Sequence, residues 1–263
     1  MCEMNIFTYV GDVFHLAAIL TLLATIKLNN SCAGVSFKTQ ILLAIVFTVR
    51  YLDIFLGNFS KYLYLDFMKS LFIALSYTTL AIIYFNYYSS YERSKDNCSI
   101  IYILLPTLLY GFLLNYVTLE YGVNSWKQFL LHPLEISWAF SIYLEALAII
   151  PQYLMILNTK NGEPVRKYII FLALYRIFYI GNWIYRYFNE NHNDPISFFS
   201  GLLQVTILLK ATIAIRHFGV VSAKKQLLTE IFTIQARKII QEKLSIAENY
   251  SSSDKEQLIQ EKV

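Results

Sequence analysis

Seven long apolar stretches run through the chain, at roughly 7–27, 39–57, 62–86, 99–117, 134–157, 167–187 and 195–218. Each approaches the about 20 residues that one helix needs to cross a bilayer, and 99–117 is, with 39–57, the shortest. A backbone in lipid must satisfy its own hydrogen bonds, so such spans read as helices. Composition agrees: 56% of the 263 residues are hydrophobic and 15% charged, more apolar than a soluble domain of this size. The expected fold class is an all-α membrane protein with seven transmembrane helices over 1–218 and a tail over 219–263. The first span has Glu3 and no Lys or Arg before Lys27, unlike a cleaved signal peptide, so it is expected to persist as a helix.

Loop charge sets the orientation, because short loops rich in Lys and Arg stay cytoplasmic. One alternate set of loops holds Lys27, Lys38, Arg93, Lys95, Lys160, Arg166 and Lys167, and the other only Lys61, Lys127 and Arg186. A luminal amino terminus and a cytosolic tail follow. That topology puts Cys32 and Cys98 on the reducing side and leaves Cys2 alone near the lumen, which argues against a disulfide framework. The sequons at Asn29, Asn97 and Asn249 would face the cytosol and Asn58 lies in a short loop against the membrane, so no N-glycosylation is expected.

After the last span, 222–247 mixes Leu227, Leu228, Ile231, Phe232, Ile239 and Ile240 with many Lys, Arg and Glu residues. This is the pattern of an amphipathic cytosolic helix that lies on the membrane, binds a partner or is simply solvated. The run Ser251, Ser252, Ser253 and the residues after it read as disordered.

An ionisable side chain inside a span costs about 2.5–3.5 kcal/mol on insertion scales, so several of them must line a wet or paired interior. Candidates are His15, Arg50, Asp53, Lys69, Glu135, Glu145, Arg176, Arg186 and Lys210. Arg176, Tyr179, Trp183 and Arg186 share one face of the sixth span, and Glu135, Trp138 and Glu145 one face of the fifth. In each stripe the two charges lie ten residues apart, about 15 Å at 1.5 Å per residue. With the topology above, Glu135 and Arg186 sit near the luminal mouth while Arg50, Glu145, Arg176 and His15 sit deep.

A luminal cavity with a basic floor suits an anion. An extended tetrapeptide spans at most about 13–14 Å, the length of the stripes, and arginine's planar fork receives a terminal carboxylate at two points. The plainer reading is that Glu145 with Arg176, and Asp53 with Arg50, neutralise each other to hold the bundle together. Trp138 and Trp183 would then be packing or interfacial residues. His15 is the only histidine within a span, His132, His192 and His217 lying at boundaries. It is either a satisfied core residue or, beside an anion site, a group whose charge changes between neutral and mildly acidic compartments.

The same residues carry a resemblance. Ser31-Cys-Ala-Gly-Val-Ser36 with Lys38, and Val46-Phe-Thr-Val-Arg-Tyr-Leu-Asp-Ile-Phe55, resemble the KDEL receptor family. Pro133-Leu-Glu-Ile-Ser-Trp-Ala-Phe-Ser-Ile-Tyr-Leu-Glu145 with Pro151-Gln152 is similar to that family's fifth helix. Leu174-Tyr-Arg-Ile-Phe-Tyr179 with Asn182-Trp-Ile-Tyr-Arg-Tyr187 is similar to its sixth, and the likeness spans about 4–210. The resemblance implies a receptor of the endoplasmic reticulum and Golgi membranes that binds the C-terminal Lys-Asp-Glu-Leu or His-Asp-Glu-Leu signal of escaped luminal proteins. It would bind in the acidic Golgi and release in the neutral endoplasmic reticulum. The implied fold is SWEET/PQ-loop-like, two three-helix bundles joined by a linking helix.

Carried over by position, the resemblance puts the signal's terminal carboxylate near Arg50 and Tyr51, its first residue near Glu135 and Trp138, and its aspartate near Arg186 and Trp183. Tyr175, Arg176, Tyr179, Glu145 and Asp53 complete the implied site, with His15 as proton sensor. The family's tail lysines recruit the COPI coat, and Lys224 with Lys225 occupies a similar place, although a positive flank anchoring the last span explains them equally well. The ending Glu261-Lys262-Val263 lacks a terminal dilysine.

Four departures qualify the likeness: Thr8 stands where the family has an arginine, and Lys210 where it has an aspartate; the loop from Asn115 to Pro133 is long, and the tail after 219 extended. Two other readings therefore stay open, a SWEET-like small-solute transporter and a trafficking paralogue that no longer binds the signal. An enzyme is not expected, because no nucleophile, base and orienter set, metal-ligand spacing or phosphate-binding glycine loop is present. No cofactor and no nucleic-acid partner is expected either.

Overall fold

The computed structural model describes residues 5–57, 62–116 and 133–260, with side chains through 230 and at Thr233. Cys2, the Asn58 sequon, Lys61, the part of the long loop with Lys127 and His132, the chain's last three residues, and the side chains of Ile231, Phe232, Ile239 and Ile240 lie outside them.

Helices fall on every one of the apolar stretches, and the described residues contain no strand. α1 spans Ile6–Leu28, its first turn capped by the Asn5 side chain, which accepts from the Thr8 N–H. α2 (Phe37–Arg50) starts in the same way at Ser36. It stops at a turn on Tyr51, and a single turn, α3 (Leu52–Phe55), comes next. α4 (Leu63–Ala81) widens into a π-helical turn over Ile82–Asn86. α5 is Ile101–Leu113. The fifth stretch is broken into α6 (Pro133–Leu147) and α7 (Ile150–Thr159). Pro151, just inside α7, lacks the N–H that would continue α6. α8 (Arg166–Glu190) and α9 (Pro195–Gln260) complete the order.

Among the described residues, five helical segments are long and apolar enough to cross a membrane: Ile6–Leu28, Leu63–Asn86, Pro133–Thr159, Glu163–Glu190 and Pro195–Glu230. Ile101–Leu113 is a shorter apolar helix. Their outward faces carry large apolar side chains in the open, Phe67, Phe85, Tyr102, Phe199 and Ile213 among them. Water would not tolerate so much apolar surface, whereas lipid does.

The chain forms two units, Met1–Arg216 and His217–Val263. In the first, α1 packs along α8, α5 along α6, and α2 against both α4 and α6. Leu42, Val46, Phe47, Phe72, Phe140 and Leu144 fill the middle. Glycines permit the close approaches that membrane helices use in place of hydrophobic attraction, Gly11 and Gly111 among them. A Cβ on Gly11 would meet the Tyr179 ring at 2.6 Å, and one on Gly111 the Phe140 backbone at 2.6 Å. In the second unit the helical trace continues through 251–260, the run whose composition reads as disordered. Lys224, Lys225, Val220, Val221, Leu227 and Leu228 are exposed on it.

Candidate functional site

The interior of the first unit is organised around Glu145 of α6, which is 1% exposed. Arg50, in the last turn of α2, pairs with its Oε2, and Arg176, midway along α8, with its Oε1. Tyr175 donates its hydroxyl to Oε1 as well. Placing Arg50 at a helix C-terminus sets its charge against the negative end of the α2 dipole. Its guanidinium also donates to the Ser141 hydroxyl and carbonyl, both at 3.1 Å. Arg176 lies over the Tyr175 ring at 4.7 Å and the Trp183 ring at 5.9 Å, while its buried Nε finds no acceptor among the described residues.

Two guanidinium groups thus share one carboxylate. Buried charge is tolerable when it is matched, and here a positive surplus is left where a second anion would be matched. Against this network stands His15, 4% exposed. Its ring stacks on Tyr175 at 4.3 Å and 14° and touches Phe72 at 4.5 Å and Phe47 at 5.3 Å.

One member of the site is not among the candidates from sequence. Asp12, one turn before His15 on α1, is 4% exposed and accepts from the hydroxyls of Tyr179 at 2.6 Å and Tyr64 at 2.9 Å. Its one signal in the sequence is a carboxylate inside an apolar span. Toward the helix start, the N-cap Asn5 donates to the Asn182 side-chain oxygen at 2.6 Å and the Thr8 hydroxyl to the same oxygen at 3.2 Å.

The remaining expected residues are more dispersed. Asp53 pairs with Lys69 rather than with Arg50, because the turn at Tyr51 ends the shared helical register; Lys69 also lies 3.7 Å from Asp66. Tyr51 stacks on Phe47 with ring centres 6.2 Å apart. Arg186 donates to Glu190 of its own helix at 2.9 Å. Trp138 packs on Tyr116 at 5.6 Å. Glu135 lines a cavity of about 660 Å³ with Leu52, Phe55 and Pro133, and Trp183 borders one of about 270 Å³ with Tyr187, His192 and Phe198. Lys210 is exposed on α9.

A second polar cluster ties the opposite end of α2. Asp96 is 1% exposed and its Oδ2 accepts from the Ser36 hydroxyl at 2.9 Å, the Tyr91 hydroxyl at 2.7 Å and the Lys38 N–H at 3.3 Å. Burial, together with the bond to Asp96, pushes the Tyr91 phenol above its ordinary value. Gln152 moors α7 to the same end: its N–H donates to Thr39 and its amide to Gly34, while its carbonyl oxygen accepts from Ser36.

Comparison with known proteins then identifies the family. The family description "ER lumen protein retaining receptor" matches residues 31–186. The chain is 44% identical over 206 residues to an ER lumen protein-retaining receptor of Dictyostelium discoideum, covering 78% of this chain and 90% of the relative. It is 42% identical over 205 residues to ER lumen protein-retaining receptor 2 of Gallus gallus, with the same two shares. Against ER lumen protein-retaining receptor 3 of Danio rerio it is 41% identical over 202 residues, 76% of this chain and 87% of the relative. These are receptors and not enzymes, and the apolar helices agree with a multi-pass membrane protein of the secretory pathway. The chain belongs to the ER lumen protein-retaining receptor family.

Proposed function

We propose that this protein binds the C-terminal Lys-Asp-Glu-Leu or His-Asp-Glu-Leu signal of escaped luminal proteins in the acidic Golgi, returns them to the endoplasmic reticulum in COPI vesicles, and releases them at neutral pH. The observation that carries the proposal is the sharing of one buried Glu145 by Arg50 and Arg176. A peptide's terminal carboxylate supplies the missing negative charge, and a guanidinium receives it with two parallel hydrogen bonds. Tyr51, Tyr179, Trp183, Arg186, Glu135, Trp138 and Asp53 line the way in, Glu135 receiving the signal's first residue and Arg186 its aspartate. His15, stacked on the tyrosine that bonds Glu145, reports compartment pH to the site.

In this reading the first unit crosses the membrane seven times, as two three-helix bundles with a linking helix. The amino terminus is luminal, and the cytosolic tail presents Lys224 and Lys225 to the coat. By linkage, protons that tighten binding are themselves bound more tightly when the signal is present. The test is a titration of the purified protein with Lys-Asp-Glu-Leu peptide at acidic and neutral pH, with a C-terminally amidated peptide beside it. Tight acidic binding that weakens on neutralisation, and absent binding of the amide, is the expected result. Equal affinity for the free acid and the amide would remove the basis of the assignment.

A further inference from the structure

At the end of α1 opposite Asn5, a cavity of about 330 Å³ opens between α1 and the π-helical turn that follows α4. That size falls within the about 300–1,000 Å³ of small-ligand sites. Leu23, Ala24 and Ile82 make its apolar wall, and Lys27, Asn86 and Tyr87 its polar rim. The wide turn puts Ile82 and Asn86, its first and last residues, on the same cavity. Tyr87 is fixed at the rim, its carbonyl accepting from the Ser90 hydroxyl at 2.8 Å and the Cys32 thiol at 3.1 Å.

The charge of this cavity has one sign. Lys27, in the last turn of α1, is exposed and makes no ion pair among the described residues. The acids of the neighbouring loop are engaged elsewhere, Glu92 by the Gly34 N–H at 3.1 Å and Asp96 by the Ser36 and Tyr91 hydroxyls. Lys38, by contrast, is spent on the Cys98 carbonyl at 2.8 Å. Asn86 is also exposed and adds an amide with two N–H groups. Both helical segments are long and apolar enough to cross a membrane, and the cavity lies at one end of each, at headgroup level. Leu20, one turn deeper than Leu23 and Ala24, is 49% exposed, so the apolar wall continues along the lipid-facing side of α1.

We propose that this cavity seats one anionic phospholipid, its phosphate on Lys27, its headgroup against Asn86 and Tyr87, and an acyl chain along Leu23, Ala24 and Ile82. A basic rim above an apolar wall matches the division of such a lipid into headgroup and chain. A zwitterionic lipid brings its own cation to the rim beside Lys27 and gains less. In the topology proposed above the lipid belongs to the cytosolic leaflet, and the seat itself stands whichever leaflet meets the end of α1.

The experiment is native mass spectrometry of the purified full-length protein in neutral detergent, titrated with phosphatidylserine, phosphatidylinositol or phosphatidylcholine of matched chains. The first anionic lipid is expected to bind about fivefold tighter than phosphatidylcholine. Lys27→Ala is expected to erase that preference and Lys27→Arg to keep it. Ala24→Trp, which fills the cavity and leaves the charge, is expected to lower occupancy by all three lipids. Lys95→Ala, at an exposed lysine that does not line the cavity, is expected to change nothing. Lys27 and Ala24 are both exposed, so these variants are expected to melt with the unaltered protein. Equal affinity for anionic and zwitterionic lipid, a preference that survives Lys27→Ala or falls equally with Lys95→Ala, or occupancy that survives Ala24→Trp overturns the proposal. Displacement of the lipid by an equal concentration of inorganic phosphate overturns it too, since the apolar wall would then contribute nothing.

Discussion

Replacing Glu145 by glutamine keeps the shape of the side chain and removes the one negative charge that Arg50 and Arg176 share. All three side chains are well buried, at 13% exposure for Arg50, 2% for Glu145 and 4% for Arg176, so solvent screens them little. Removing one partner of a buried pair costs about 3–5 kcal/mol, and here the removal strands two cations facing each other. In a protein of this size each kcal/mol moves the unfolding midpoint by about 2–4 °C, so Glu145→Gln is expected to melt about 6–20 °C lower. Cys32 supplies the readout, being fully buried while Cys98 is partly accessible. The rate at which a thiol dye labels Cys32 on heating follows opening of the bundle, with Cys2→Ser and Cys98→Ser together removing the background. A second arm adds Arg176→Met to Glu145→Gln, which takes away one stranded cation and should recover part of the loss. A shift under about 1 kcal/mol for Glu145→Gln would mean that the site is hydrated and that the matched-charge argument does not hold.

Other expectations test separate parts. Gly11→Ala should destabilise by about 1–3 kcal/mol, because its Cβ displaces the Tyr179 ring that Asp12 holds; wild-type thermal stability would show that α1 and α8 are free to separate. Tyr91→Phe should cost about 1.5–3 kcal/mol by removing a donor to the buried Asp96. The folded phenol titrates above the unfolded one, so this contribution is present in full below about pH 10 and fades above it; a wild-type to mutant gap that widens at high pH would contradict the assignment. Arg50→Ala is expected to raise the Kd for signal peptide by about two orders of magnitude or more, and unchanged affinity would refute its role. His15→Ala should flatten the pH dependence of binding, and a mutant that still lets go on neutralisation would clear His15 of the sensing role.

Periodicity makes much of this architecture readable from the chain alone. The ten-residue spacing of charges on α6 and α8 puts Glu145 and Arg176 on facing stripes, and they meet. Arg50 and Asp53, three residues apart, look like a helical pair, yet the turn at Tyr51 separates them and each finds a partner far along the chain or on another helix. Arg186 and Glu190 show the opposite case: an i,i+4 spacing visible in the sequence becomes the bond the structure makes. Asp12 is easily passed over because a single carboxylate has no periodic partner on its own helix; its tyrosines come from α4 and α8, and only the packing brings them together.

The mooring of α7 by Gln152 carries a consequence for how this end of the protein tolerates change. Its three bonds need a donor toward Gly34, an acceptor toward Ser36 and a main-chain N–H at Thr39, all from one residue. A glutamate of the same outline would set oxygen against the Gly34 carbonyl, and one inserted residue in α7 would swing the side chain about 100° away. Two segments more than a hundred positions apart are thus keyed to each other like a bolt and its plate, and neither can be redrawn alone.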